Sequence, residues 1–215
     1  MEVAVQEGRR ILQKYNCTGC HVIEAKGGDV ATFYEAPQVA PPPLVAGHLQ
    51  EGEKVQATWL YEWLARPTSL RPWLKVRMPT FPVTIDEATT LSKYFSALAG
   101  KGFPYEFVRV EEYSQELVEA GRKLASKDYF DCFSCHVQGS KLPEGPPEGW
   151  APDLSLARRR LRPEWIVKWL RDPQKIQPGA KMPSFFPGGP DDILGGNEEQ
   201  QIIALRDYIM SLGER

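Results

Sequence analysis

All four cysteines of this 215-residue chain are taken up by two copies of one short pattern. They read Cys17-Thr18-Gly19-Cys20-His21 and Cys132-Phe133-Ser134-Cys135-His136. Two thiols three positions apart with an imidazole directly after the second is the spacing that attaches a c-type haem through two thioethers and gives its iron a histidine. On one helical turn Cys17 neighbours both Cys20 and His21. Two sulfurs can then reach the edge of a flat macrocycle while the ring turns under its centre. Zinc, a redox pair and a structural disulfide compete for the same residues. Structural zinc wants four ligands from closely spaced pairs, whereas Cys20 and Cys132 lie 112 positions apart. A thioredoxin-like pair needs a strand before it and alternating strands and helices around it, and neither copy has that setting. A disulfide leaves the histidine after both pairs without a reason.

The surroundings of the pattern repeat as well, which is a second line of evidence. Val5-Gln-Glu-Gly8-Arg9-Arg10-Ile11-Leu12 precedes the first copy and Val118-Glu-Ala-Gly121-Arg122-Lys123-Leu124-Ala125 the second. Afterwards come Ala40-Pro41-Pro42-Pro43-Leu44 against Ala151-Pro152-Asp153-Leu154, then Trp59-Leu-Tyr-Glu-Trp63-Leu64 against Trp165-Ile-Val-Lys-Trp169-Leu170. Next are Arg77-Met78-Pro79-Thr80-Phe81 against Lys181-Met182-Pro183-Ser184-Phe185, and last Leu91-Ser-Lys-Tyr94 against Leu205-Arg-Asp-Tyr208. Two tandem units of about 100 residues fit the usual size of a domain. The breakers at Gly100-Lys-Gly102-Phe-Pro104 place the boundary at residue 104, giving domains 1–104 and 105–215.

Each unit reads as helical. Ser114 is placed to cap a helix carrying Leu117, Val118, Gly121 and Leu124. Thr84-Ile-Asp-Glu87 has the form of a capping box, and Asn197-Glu-Glu-Gln200 offers a similar start. Trp59 with Trp63, and Trp165 with Trp169, share helix faces that stop at Pro67 and Pro173. No alternating strand stands out. Long Pro- and Gly-rich loops, at 39–47, 138–149 and 186–196, need something to pack on, and a buried macrocycle would serve. With 26 basic and 28 acidic residues the net charge is −2, too weak a field to imply nucleic acid as a partner. No apolar run is long enough to span a bilayer.

A haem held by one histidine has a second axial position. Met78 and Met182 each stand in a basic-Met-Pro-(Thr/Ser)-Phe block, after the haem motif of their own repeat, in loops free to cover the opposite face. The metal ligands expected are therefore His21 with Met78 and His136 with Met182. A lone methionine is commonly core filler, which is the reading for Met210 on the last helix; Met1 is taken as only the start. His48 has no counterpart in the second repeat and reads as a surface histidine competing weakly with Met78. Trp63 and Trp169 could line the haem crevice, where cofactor and core merge. Arg158-Arg159-Arg160-Leu161-Arg162 reads first as a solvated face, with pairing to a haem propionate or to an acidic partner as the alternative.

Together these residues resemble class I cytochromes c in a two-domain, dihaem arrangement. The resemblance is closest from Cys132 to Met182, where Trp169-Leu170-Arg-Asp-Pro173 leads to Pro178-Gly179-Ala-Lys181-Met182. Ala151-Pro152-Asp153-Leu154 is similar to the family's turn in which a proline carbonyl accepts a hydrogen bond from the proximal histidine. The resemblance thus implies that Pro152 orients His136 and Pro42 orients His21. It also implies that Gly8 and Gly121 sit where the first helix crosses the last, against Tyr94 and Tyr208. The fold it implies is all-α, with short helices and long loops around one covalent haem each. The first repeat departs in its Met78 loop, two residues longer, with Pro72-Trp73 in place of Pro178-Gly179.

Two filled axial positions leave no open site for substrate, so the expected role is electron transfer between respiratory protein partners rather than enzymatic turnover. A dihaem peroxidase with one exchangeable ligand is the rival enzyme reading. The soluble haem-bearing part of a membrane quinol-oxidising complex is a third. Thioether attachment in the family implies a periplasmic or other extracytoplasmic setting, with a leader removed or an anchor outside this segment.

Overall fold

The computed structural model describes residues 2–35, 39–102 and 113–213. The chain divides into two compact units, residues 1–108 and 109–215. The boundary expected at residue 104 lies within 103–112, outside the described residues, and so does Met1.

The first unit begins with α1 (Glu2–Lys14), which buries Gly8 and Leu12. After the Cys17–Gly19 turn, β1 (Val22–Ile23) pairs antiparallel with β2 (Lys26–Gly27). β3 (Val45–Ala46) and β4 (Leu49–Gln50) form a second hairpin, and β1 joins β3 in parallel with Ile23 opposite Val45. The order is β2-β1-β3-β4. Then follow α2 (Glu51–Lys54), α3 (Ala57–Ala65) and α4 (Ile85–Leu98), with α1, α2 and α3 all packed on α4. Leu60, Leu64, Leu91 and Tyr94 are buried there.

The second unit repeats the helical plan. α5 (Gln115–Leu124) precedes the Cys132–Ser134 turn, and α6 (Ala157–Arg160), α7 (Pro163–Arg171), α8 (Pro173–Ile176) and α9 (Glu198–Ser211) follow. α5, α6 and α7 pack on α9 around Leu124, Trp165, Ile166, Phe186, Leu205 and Met210. Among its described residues two isolated bridges, His136 with Ala151 and Gln138 with Lys141, tie the loops together.

The all-α expectation is therefore corrected: the chain is about 51% helical, and the first unit carries a small mixed sheet. Strands of two residues are too short to display the alternation by which a strand is read from sequence. The 39–47 segment, expected as a loop, contributes β3. Proline acts as anticipated: α3 ends at Ala65, two residues before Pro67, while Pro173 closes α7 and opens α8 from its first position. Thr84 and Glu87 form the reciprocal capping box, and Asn197 accepts from the Gln200 N–H. Ser114 stands at the N-cap of α5 without a side-chain cap bond.

One close approach in each unit joins its first helix to its last. A Cβ added to Gly8 would lie 2.5 Å from the Cβ of Tyr94, and one added to Gly121 would lie 2.0 Å from the Ala204 carbonyl oxygen and 2.7 Å from the Tyr208 Cβ. Only glycine permits such contact between helices.

Candidate functional site

Each Cys-x-x-Cys-His segment follows a residue in the left-handed region: Asn16 at φ 50°, ψ 42° and Asp131 at φ 47°, ψ 47°. Asn and Asp tolerate this conformation better than other side chains, and here it leads the chain into the motif's turn. The turn that follows is a tight 3₁₀ turn, on which residues three apart eclipse. The Cys20 N–H donates to the Cys17 carbonyl at 3.2 Å and the Cys135 N–H to the Cys132 carbonyl at 3.3 Å. The histidine closes the turn from the next position, its backbone N–H donating to the Cys17 carbonyl at 2.9 Å in the first unit and to the Cys132 carbonyl at 2.9 Å in the second.

A short backbone strap then fixes the ring. In the first unit the Leu44 N–H donates to the Val22 carbonyl at 3.0 Å, and in the second the Leu154 N–H donates to the Val137 carbonyl at 3.0 Å. These bonds bring the proline loops against the histidines. His21 Nδ1 lies 2.7 Å from the Pro42 carbonyl oxygen, and His136 Nδ1 lies 2.8 Å from that of Pro152. A carbonyl can only accept, so Nδ1 carries the proton and Nε2 keeps its lone pair. Burial pushes both imidazoles below their ordinary pKa, against the opposing pull of the proline carbonyls, so both rings are neutral at pH 7. Each unit thus presents a neutral imidazole with a fixed tautomer and an available Nε2, which is the form that binds a metal.

All four cysteines are free thiols. Burial raises the Cys17 thiol and pushes Cys132 up to about 11, so these two are protonated at neutral pH. Among the described residues, no three His, Cys, Asp or Glu side chains converge on a point where a metal ion could sit.

The structure separates the two methionines. Trp169 stacks on Trp165 with ring centroids 5.1 Å apart, and its indole N–H donates to the Met182 Sδ at 2.9 Å. Gln174 donates from its side-chain amide to the carbonyls of Ala180 and Met182, the latter at 3.1 Å. Trp63 stacks on Trp59 at 5.8 Å in the same way, but its N–H goes to the Thr68 carbonyl at 2.9 Å. The Met78 loop is tied by the Arg77 guanidinium, which donates to the carbonyls of Pro72, Leu74 and Val76. Met78 and Met182 are both half-buried. Met210 is 1% exposed in the core, and His48 is exposed in the turn between β3 and β4. Of the basic run only Arg159 is exposed, and Arg162 is 3% exposed, so the solvated-face reading is corrected.

Sequence reasoning overlooked Asn16, Asp131, Arg77 and Gln174. Asn16 and Asp131 had a usable signal, since each immediately precedes its motif. Arg77 and Gln174 had none, because their partners are carbonyls anonymous in sequence. The donor set in each unit, two thiols, a neutral imidazole and a half-buried thioether further along the chain, fits a covalently attached haem c. No family model, curated protein or solved structure matches the chain.

Proposed function

We propose that the chain carries electrons between redox proteins through two covalently attached haem c groups, one in each unit. The observation that carries this reading is the repeated imidazole: twice, in two separate cores, a Cys-x-x-Cys-His turn delivers a histidine whose Nδ1 is committed to a proline carbonyl. When bound, each haem supplies an iron that gains and loses one electron. Cys17 with Cys20, and Cys132 with Cys135, would hold the macrocycle through thioethers. His21 and His136, with Met78 and Met182, would hold the iron. The proline carbonyls at 42 and 152 raise the basicity of the rings and stop them rotating. Trp63 and Trp169 help to exclude water, and a dry surround with His/Met ligation favours a high potential.

The partners in this reading are protein donors and acceptors in a periplasmic or other extracytoplasmic respiratory system. Among the described residues, no helix is long and apolar enough to cross a membrane. The test is optical. Acid-acetone extraction should leave two haems per chain attached, both low-spin, with a sulfur-to-iron charge-transfer band in the oxidised form. A colourless chain, or a high-spin haem that turns over peroxide in the half-reduced protein, overturns the carrier reading.

A further inference from the structure

We propose that Asp153 is a positioning residue for His136: it locks the peptide whose carbonyl holds that ring, and its charge gives the second centre the lower potential of the two. This rests on the haem reading above and goes beyond it by ordering the two centres.

The repeats supply the comparison. Pro42 matches Pro152 and Leu44 matches Leu154, so Asp153 stands where the first unit has Pro43. In the second unit the strap is pinned on both sides of that residue. The Ala151 N–H donates to the Cys135 carbonyl at 2.7 Å, and the Leu154 N–H to the Val137 carbonyl at 3.0 Å. Between these bonds the Asp153 Oδ1 accepts from the Gly139 N–H at 3.0 Å and from the Ser155 N–H at 2.8 Å. One carboxylate oxygen thus ties the loop after the Cys-x-x-Cys-His turn to the strap. The Pro152 carbonyl, 2.8 Å from His136 Nδ1, belongs to the peptide bond between residues 152 and 153, so whatever fixes Asp153 fixes that acceptor. The first unit reaches the same end through its main chain. There β1 and β3 pair in parallel, and the Glu51 N–H donates to the Leu44 carbonyl at 2.8 Å. Pro43 offers neither a charge nor a side-chain acceptor.

The two imidazoles therefore feel different charges. Burial pushes the His136 pKa down, while the Pro152 carbonyl and then the Asp153 carboxylate pull it up. Among the described residues no basic side chain forms an ion pair with Asp153, whose partners are backbone N–H groups. For His21 the charge in the corresponding role is that of Glu51, which is 6% exposed and paired with Lys54 Nζ at 3.4 Å. An ion pair acts at a distance as a dipole, so its field falls off faster than that of a carboxylate without a cation. A negative charge beside the imidazole makes it a stronger donor to a metal and favours the oxidised state.

The experiment uses the full-length holoprotein and reads the midpoint potential of each centre, assigned with the variant in which Cys17 and Cys20 are both replaced by alanine. In the unaltered protein the lower potential should belong to the second centre. Asp153→Asn keeps a side-chain oxygen for both N–H groups and removes the charge. It should raise the reduced-to-oxidised ratio of the second centre about fivefold, which is about 41 mV for a one-electron couple, and leave the first centre where it was. Asp153→Ala removes the acceptor as well. It should also speed solvent exchange of the His136 Nδ1–H, followed by proton NMR in the reduced form, whereas Asp153→Asn should not. Should neither variant fold, Pro43→Asp decides, since it places a carboxylate in the matching strap and should lower the first centre's potential by a similar factor. A second centre above the first, a potential unmoved by Asp153→Asn or by Pro43→Asp, or exchange unchanged in Asp153→Ala, overturns the proposal. Failure of the underlying haem reading looks different: no haem would stay attached through acid-acetone extraction, and there would be no potentials to compare.

Discussion

Glycine at positions 8 and 121 is demanded by the distance between helices. The Cβ of an alanine at 121 would meet the backbone of α9, with the Ala204 carbonyl oxygen 2.0 Å away, whereas at 8 it would meet the near part of the Tyr94 side chain. A backbone carbonyl cannot step aside without moving its helix. Alanine gains up to about 1 kcal/mol in intrinsic helix preference, but overpacking a tight contact costs roughly 1–3 kcal/mol or more. Gly121→Ala should therefore lower stability by about 2–3 kcal/mol and Gly8→Ala by less, as read by chemical unfolding of each unit. The residue before each motif follows another rule. Asn16 and Asp131 sit at positive φ, so glycine there should be nearly neutral. A β-branched residue should destabilise by about 1–2 kcal/mol, measured in the same unfolding series.

Among the elements, the start of α4 is held to α1 by a compact polar knot. The Glu87 carboxylate accepts from Lys14 Nζ at 2.6 Å, from the Thr84 N–H at 3.0 Å and from the Tyr15 hydroxyl at 2.8 Å. The bond from Lys14, then that from the Thr84 backbone, then that from Tyr15, pull this carboxyl from its ordinary 4.5 to about 2. A carboxyl depressed in the folded state adds stability that is complete above its unfolded value. That stability fades as pH falls through the folded one. The acid loss should thus fall between about pH 4.5 and 2. Because the pair is near the surface and Lys14 is well exposed, solvent screening keeps the gain small. Glu87→Gln should lower the urea midpoint of the first unit at pH 7 and cost progressively less as pH drops through that window. The box itself was legible, since Thr84 and Glu87 stand three apart before an apolar run. The sheet was not: its first turn places Glu24 and Ala25 at φ 51° and 60°, where a hairpin usually announces itself with Asn-Gly or Asp-Gly. The bidentate bond from Arg9 to Glu24, which holds this turn against α1, is a tertiary fact with no local trace.

Across the whole molecule, the repeated blocks carried most of what could be read in advance. The proline that meets each histidine, the glycine under each tyrosine and the stacked tryptophans were all visible as matched pairs. What differs between the repeats was harder to see, because equal residues, such as Trp63 and Trp169, send the same N–H to different acceptors. Each motif lies in its own unit with its own core, so loss of one should spare the other. If each motif holds a haem as proposed, replacing Cys17 and Cys20 together by alanine should halve the covalently bound haem, from two per chain to one, with the remaining centre keeping its spectrum. The same change at Cys132 and Cys135 should give the complementary half, and loss of both haems from either variant would contradict independent units. The crossing at Gly8 with Tyr94, and again at Gly121 with Tyr208, brings the opening and closing stretches of each unit together. A segment whose two ends already meet can be copied in tandem, spliced out or re-opened elsewhere with its internal wiring intact, so doubling the unit requires no new architecture, only a second pass of the same loop.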